Sequence, residues 1–284
     1  PQLVPAAILP TAITWNSTTY QLACIIGPGL GGLIVAISPT LGFAIDATCM
    51  LSFGVALAFM SLGVSARTHE PLSTDSLVAG VRFVYQQKVI LATITLDLVA
   101  VLLGGATYLL PVFAQDILHV GAREFGWLRA APAVGSLIMA VTLAHRPPLR
   151  QAGRAMLWAV AGFGGATIVF GLSRNLWLSL AALLVTGMAD NISVVVRHTL
   201  VQVLTPDHMR GRVSAVNTVF IGASNELGGF ESGLTARLFG PLLSVIGGGL
   251  GAMATTGFVA WKWPQVRRIG ALHEVRPEIS LPAA

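Results

Sequence analysis

The chain has 284 residues, a formal net charge of +5 and a mean hydropathy of +0.76, and only 10% of its residues are charged. This composition is far more apolar than a soluble domain of the same length needs, which excludes a water-soluble enzyme or binding module. We therefore expect an all-α, polytopic membrane protein, because helices satisfy their own backbone hydrogen bonds in lipid.

Eight apolar stretches are long enough to cross a bilayer core about 30 Å thick as helices. In chain order we place these spans at 13–37, 41–64, 90–113, 126–145, 155–172, 176–196, 213–238 and 241–263. Prolines inside the spans, such as Pro28 and Pro132, are compatible with this assignment, because neighbouring helices satisfy the backbone groups that proline frees. The sequence thus predicts eight transmembrane helices.

The basic residues fall mainly on one side of these spans. Of the 17 lysines and arginines, 13 follow the second, fourth, sixth and eighth spans, Arg197 among them, and 4 fall on the other side. This excess predicts that the first side, and with it the C-terminus, is cytoplasmic. The topology explains the positive charge, so we expect the lipid bilayer as a partner and no nucleic acid.

The longest loop, 65–89, joins the second span to the third on the predicted cytoplasmic side. Its second half carries apolar residues spaced as on a short helix that lies on the membrane surface. Such a loop is a natural boundary between two bundles of helices.

Two segments of the chain match at an offset of 201 residues. Each has Leu-x-Pro before its span, an asparagine early in it (Asn16 and Asn217), and small residues at the same later positions. Transporters are commonly built from such repeats, with the substrate site between them. If the first span is equivalent to the seventh, six helices form one unit. Residues 1–64 are then the last two helices of a first bundle, and 90–263 are a complete six-helix bundle. The loop 65–89 joins the two bundles, and 264–284 form a cytoplasmic tail. We accordingly interpret the chain as the C-terminal part of a longer protein.

Three motifs carry a family resemblance. The stretch Ala23–Gly32 contains a Gly-Pro pair followed by two glycines (Gly27, Pro28, Gly31 and Gly32), with Gly228 and Gly233 at the repeat-equivalent positions of the seventh span. The stretch 204–228 runs from a polar loop into that span, and 146–154 is a basic loop without an acidic residue. All three point to the major facilitator superfamily. Ala23–Gly32 resembles the antiporter motif of its fifth helix, and 204–228 is similar to the corresponding stretch in its proton-coupled drug-efflux branch, which includes enterobactin-exporter-like proteins. The loop 146–154 resembles a degenerate copy of the superfamily's basic loop motif.

The resemblance implies a secondary-active transporter of the plasma (inner) membrane. It would export small amphipathic molecules, drug-like or siderophore-like, in exchange for protons, with no cofactor. The alternative is a transport-incompetent fragment or a membrane protein that does not transport. No nucleotide-binding loop or Ser/His/Asp motif stands out, so we expect neither an ATP-driven pump nor a membrane enzyme.

Acidic residues inside the predicted spans need a reason to be there, because an ionisable group costs roughly 2.5–3.5 kcal/mol at a helix centre. The candidates are Glu226, Asp190, Asp97, Asp46 and Glu231. They could carry protons or bind substrate in a water-filled cavity. The alternative is a polar clamp between helices, such as Asp190 paired with an arginine.

The remaining candidates are conformational. The motif glycines could permit close helix packing, or a helix bend that shapes the exchange between outward-open and inward-open states. Four arginines of the predicted cytoplasmic loops could form a charge relay that locks one state, or could serve only as the topology signal; they are Arg150, Arg154, Arg210 and Arg212.

Overall fold

The computed structural model describes residues 26–59, 74–146, 149–206 and 209–271, together with Thr19 and Ala23. Every regular element within these ranges is a helix. Most of the first half of the predicted span 13–37, including Asn16, and residues 272–284 of the predicted tail lie outside the described residues. The equivalence of the first and seventh spans therefore stays a prediction.

The helices in chain order are α1 (Ile26–Ile37), α2 (Pro39–Ala58), α3 (Thr74–Gln86), α4 (Lys88–Leu103), α5 (Leu110–Val112), α6 (Ala122–His145), α7 (Ala152–Leu172), α8 (Leu176–Leu204), α9 (Arg210–Phe239), α10 (Pro241–Lys262) and α11 (Pro264–Arg267). A 3₁₀ turn, Gly105–Thr107, precedes α5, and a π-helical turn, Phe113–Ile117, follows it. The helix expected in the second half of the loop is present as α3 and packs against α4 and α9.

In the described part of the chain, six helical segments are long and apolar enough to cross a membrane: α2, Lys88–Ile117, α6, α7, α8 and α10. The prediction of eight differs at its first and seventh members. The first, α1, is described only over Ile26–Ile37. The seventh, α9, has 30 residues, but its charged residues, including Glu226, Glu231 and Arg237, lower its hydropathy. By length and composition the chain is thus an all-helical, multi-span membrane protein.

Helix α8 extends to Leu204, whereas the sixth span was predicted to end at residue 196. Arg197, which we placed just after the sixth span, therefore lies inside α8, where it is only 3% exposed. Its removal leaves 12 basic residues (13 − 1) against 4, so the direction of the charge bias is unchanged.

The helix starts show how the chain satisfies the orphan N–H groups of a first turn. The Asn175 side chain accepts hydrogen bonds from the N–H groups of Trp177 (2.9 Å) and Leu178 (3.3 Å) at the start of α8. The start of α7 uses main chain instead. The Ala152 N–H donates to the Gly270 carbonyl at 3.1 Å, and the Gly153 N–H to the Ile269 carbonyl at 3.4 Å. The segment after α11 is thereby fixed to α7.

Glycines bring the helices of the bundle together. A Cβ atom at Gly187 of α8 would overlap the Pro132 carbonyl of α6, and one at Gly135 of α6 would overlap the Leu184 carbonyl of α8. Small residues serve this purpose in membranes, where close packing rather than hydrophobic burial drives helix association.

Apolar side chains fill the space between these contacts. The rings of Phe113 and Phe170 lie 4.8 Å apart beside the buried Leu128 and Leu183. A second cluster joins α4, α7, α8 and α10, and a third joins α3, α4, α8 and α9. The bundle therefore has an apolar interior, in three clusters, from which charged groups are expected to be excluded unless they are paired.

Candidate functional site

The third membrane segment is interrupted in its middle. Helix α4 ends at Leu103, and regular α-helix resumes only at Leu110. The break fits tightly against its neighbours, because a Cβ atom at Gly105 would overlap the Ser232 side chain and one at Gly104 would lie 2.8 Å from the Phe163 ring. Irregular backbone at membrane depth is tolerated where it is buried in protein or lines a cavity.

A cavity of about 240 Å³ lies at this break. Its polar lining comes from four helices and the interrupted segment: Thr107, Tyr108, Ser136, Thr167, Thr186, Asp190 and Asn225. Apolar side chains such as Val101, Leu183 and Phe163 complete the lining. Mixed walls of this kind suit a molecule with both apolar and polar parts.

Several of the polar groups are held in place by hydrogen bonds. The Tyr108 hydroxyl donates to the Asn225 carbonyl of α9 at 2.8 Å. The Ser136 hydroxyl of α6 donates to the Gly187 carbonyl of α8 at 3.0 Å. These bonds tie the interrupted segment to α9, and α6 to α8, so the cavity walls are ordered across helices.

A buried ion pair lies further along α4 and α8. The Arg197 Nη2 atom is 3.1 Å from the Asp97 Oδ2 atom, and these side chains are only 4% and 10% exposed. The Arg197 Nη1 atom also donates to the Asn217 side-chain oxygen of α9 at 3.3 Å. One guanidinium therefore joins three helices, and pairing offsets part of the cost of burying its charge.

Asp190 lies between the cavity and the ion pair. It lines the 240 Å³ cavity, and with Asp97 and Ser193 it also lines a void of about 20 Å³. A void of that size holds about one water molecule. The chain therefore places two carboxylates on one small, otherwise mainly apolar void beside the cavity.

Among the residues that the structure describes, Asp190 forms no clamp with an arginine. Arg197 is seven residues further along α8, about 10 Å by the helical rise, and it pairs with Asp97 instead. Within the described ranges Asp190 has no ion-pair partner.

The other acidic candidates lie elsewhere. Glu226 is exposed on α9, next to the cavity residue Asn225, although we expected it to face a cavity or another helix. Glu231 is half-buried on the same helix. Asp46 is exposed on α2 and lines a groove of about 390 Å³ with Gly27 and Gly31 of α1. The structure thus brings Asp97 and Asp190 together and not the other three.

The motif glycines divide into two groups. A Cβ atom at Gly32 would lie 2.8 Å from the Gly126 Cα atom of α6, and one at Gly228 would lie 3.0 Å from the Val101 carbonyl oxygen of α4. No described residue outside the local helix lies within 4 Å of a Cβ atom at Gly27, Gly31 or Gly233. Gly32 and Gly228 therefore have a packing role, and the repeat-equivalent glycines do not share it.

The loop arginines differ in their exposure and contacts. Arg150 and Arg154 are exposed, and Arg154 donates to the Gln151 side-chain oxygen at 3.1 Å. Arg212 is half-buried, and its Nη1 atom contacts the Met209 sulfur at 3.8 Å. The side chain of Arg210 lies outside the described residues.

Sequence reasoning did not single out Arg197, Asn217 or Tyr108 as site residues. Arg197 was counted only with the basic residues that follow the sixth span, and Asn217 was noted only as a marker of the repeat. The signal that could have found Arg197 is the largely apolar run that continues after it, Thr199-Leu200-Val201-Gln202-Val203-Leu204. Such a run extends the membrane helix and leaves a charge inside it that needs a partner.

Comparison of the sequence with known proteins identifies a family that matches the chain. The model of a family described as transmembrane secretion effectors, a branch of the major facilitator superfamily, matches residues 1–273. The chain is 26% identical over 258 residues to the enterobactin exporter EntS of Shigella boydii, covering 89% of the chain and 61% of that relative. It is 29% identical over 265 residues to the multidrug efflux pump Tap of Mycobacterium tuberculosis, covering 88% and 60%.

A third relative is an uncharacterised transporter of the same superfamily, YfmI of Bacillus subtilis, which is 27% identical over 78% of the chain and 58% of the relative. The chain spans about three-fifths of the length of these relatives. The match over nearly the whole chain, together with a helical bundle whose helices line a cavity, supports one assignment. The chain belongs to the transmembrane secretion effector family of the major facilitator superfamily.

Proposed function

We propose that the full-length protein is a proton-coupled exporter of small amphipathic molecules. The family is one of membrane transporters, and two of the relatives are named as an exporter and an efflux pump. In this proposal α1 and α2 are the last two helices of one bundle, Lys88–Ile117 through α10 form a complete second bundle, and the C-terminus is cytoplasmic. With α9 counted as a span, the chain then has eight transmembrane helices.

The observation that carries the proposal is the position of Asp190. Its carboxylate lies on the wall of the mixed polar and apolar cavity and also on the small void shared with Asp97. A carboxylate so placed can exchange a proton with water in the void while it faces a molecule in the cavity. We therefore assign Asp190 the proton-coupling role and the cavity the substrate role.

The neighbouring ion pair has a positioning role in this scheme. Arg197 holds α4, α8 and α9 together through Asp97 and Asn217. Its positive charge also acts on Asp190 from the same helix. A change in the protonation of Asp190 therefore changes the electrostatic energy of Arg197, the residue that joins the three helices. Proton uptake is in this way coupled to helix packing.

The contact between α1 and α6 suits a joint between two moving bundles. It is made at Gly32 and Gly126 without intervening side chains, and every described residue of α2 is exposed or half-buried. Rocking of one bundle against the other around a central site is how transporters with such repeats alternate their access.

The test is transport by the full-length protein reconstituted in liposomes. An imposed pH gradient should drive accumulation of a fluorescent amphipathic dye, and dye addition should in turn move protons, which a pH indicator reports. A protonophore should abolish both signals. Dye movement that is unaffected by the gradient, or dye-independent proton movement only, would exclude proton-coupled export.

A further inference from the structure

A second concave site lies away from the cavity, between α7 and α10. It is a groove of about 480 Å³ whose walls are mainly apolar, with Leu157 and Trp158 from α7 and Gly257 and Ala260 from α10. Arg154 and Arg267 also line it. None of these six residues lines the cavity assigned to substrate, so the groove is a separate site and its ligand must be considered separately.

The two arginines are brought together by main-chain contacts. The Ala152 and Gly153 N–H groups at the start of α7 bond to the Gly270 and Ile269 carbonyls. A Cβ atom at Gly153 would overlap the Val266 carbonyl, so α11 lies directly against the first turn of α7. Arg267, the last residue of α11, thereby lines the same groove as Arg154. Two like charges held together in this way favour an anion between them.

Both arginines are available to a ligand. Each is exposed, and neither is in an ion pair among residues 26–59, 74–146, 149–206 and 209–271. Arg154 has one hydrogen bond, from Nη1 to the Gln151 side chain, which leaves further N–H groups to donate. They also lie near the positive, N-terminal end of the α7 dipole.

The groove lies at the level in the membrane at which a lipid headgroup and the start of its acyl chains are found. Trp158 on α7 and Trp261 on α10 are each 78% exposed near this end of the bundle, as is typical of the tryptophans that mark a membrane–water interface. Arg154 precedes Trp158 by four residues, about 6 Å along the helix. The arginines therefore lie at headgroup level, and the apolar groove runs from them toward the hydrocarbon.

We propose that this groove binds an anionic phospholipid, with its phosphate held between Arg154 and Arg267 and one acyl chain lying along Gly257. A Cβ atom at Gly257 would have no neighbour within 4 Å, so the glycine leaves open space where the chain would lie. Basic sites between membrane helices commonly hold anionic headgroups. The inference concerns a lipid site and does not depend on which molecule the protein transports.

Native mass spectrometry of the full-length protein in detergent tests the proposal. Phosphatidylglycerol and phosphatidylcholine with identical acyl chains are titrated separately, and phosphatidylglycerol should bind more tightly. The variant Arg154→Gln/Arg267→Gln should lose this preference, with a loss of about fivefold in affinity per arginine, from about 1 kcal/mol for each basic residue. The variant Arg174→Gln/Arg237→Gln, which removes two exposed arginines elsewhere, should keep the preference.

A second pair of variants tests the acyl-chain part of the groove. Gly257→Leu should fill it and weaken binding of both lipids, while Gly247→Leu, an exposed and equally open position on the same helix, should not. If the double glutamine variant fails to fold, Arg154→Lys/Arg267→Lys should still prefer phosphatidylglycerol. Equal binding of the two lipids by the wild type, an unchanged preference in the glutamine variant, or displacement of the lipid by millimolar inorganic phosphate would overturn the proposal.

Discussion

Asp97 on α4 and Arg197 on α8 form a buried ion pair at 3.1 Å, and Arg197 also bonds to Asn217 on α9. These three helices also wall the cavity, through Val101, Asp190 and Asn225. The pair therefore fixes the geometry of the region in which Asp190 lies. Removing either member of the pair should be unfavourable, because the other would then be an uncompensated charge buried between the helices.

Asp97→Asn should therefore destabilise the fold. It leaves the Arg197 guanidinium buried without its counter-ion, for which we expect a loss of about 3–5 kcal/mol. Thermal unfolding in detergent measures the effect, with the exposed Asp116→Asn as a near-neutral control. Asp97→Asn/Arg197→Gln should lose less than the sum of the single variants, since it removes both charges. Strict additivity would show that the two side chains do not stabilise each other.

Asp190→Asn, in contrast to Asp97→Asn, should leave stability unchanged and should instead remove the response of transport to pH. Asp190 has no ion-pair partner in the described ranges, and asparagine has nearly the same shape, so the melting temperature should change little. In the liposome assay the variant should still carry dye down its own gradient but should no longer respond to a pH gradient. Ser193→Ala, which changes another side chain on the same small void, should keep its response. A normal pH response in Asp190→Asn would move the coupling role to another carboxylate.

The extent to which the sequence predicts this arrangement follows from what each signal measures. Apolar runs and flanking charges report the membrane environment, so they predicted the helical segments and the helix in the 65–89 loop. They cannot report a partner that is distant in sequence. The prediction therefore ended the sixth span before Arg197, which is retained inside α8 by Asp97, about 100 residues earlier. The break after Leu103 was missed for the same reason, since it depends on Ser232 and Phe163 packing against two glycines.

Glycines that look alike in sequence differ in their surroundings, which gives a third prediction. Gly187→Ala should destabilise the protein, because the new Cβ atom would overlap the Pro132 backbone. Gly162→Ala on α7, with nothing within 4 Å of its Cβ position, should be neutral or stabilising by about 0.5–1 kcal/mol, as expected for alanine in a helix. Melting temperatures of the two variants in the same detergent give the comparison. Equal shifts would mean that α6 and α8 can separate without cost.

The charge bias predicts the orientation of the chain. With 12 basic residues at one end of the spans and 4 at the other, the C-terminus and the 65–89 loop should both be cytoplasmic. Reporter fusions after Ala284 and within the loop should give the activity of a cytoplasmic reporter. A periplasmic signal at only one of these places would mean that the number of spans between them is odd, and at both that the whole chain is inverted.

Glu226→Gln separates a proton-carrying role from a structural one. Glu226 lies about the middle of α9, 16 residues after Arg210 or about 24 Å along the helix, and a charge at that depth is costly if it faces hydrocarbon. Within the described residues it is exposed and beside Asn225 of the cavity wall. Its replacement should therefore leave expression and melting temperature unchanged, so any loss of transport can be assigned to the missing carboxylate. With Asp190 still in place, we expect coupling of dye export to the pH gradient that is weaker but not abolished in the full-length protein, measured beside Glu231→Gln, the other carboxylate of the same helix. Unchanged coupling at normal expression would leave Glu226 as a polar group without a role in proton transfer, and Asp190 and Asp97 would then be the carboxylates that remain to be tested.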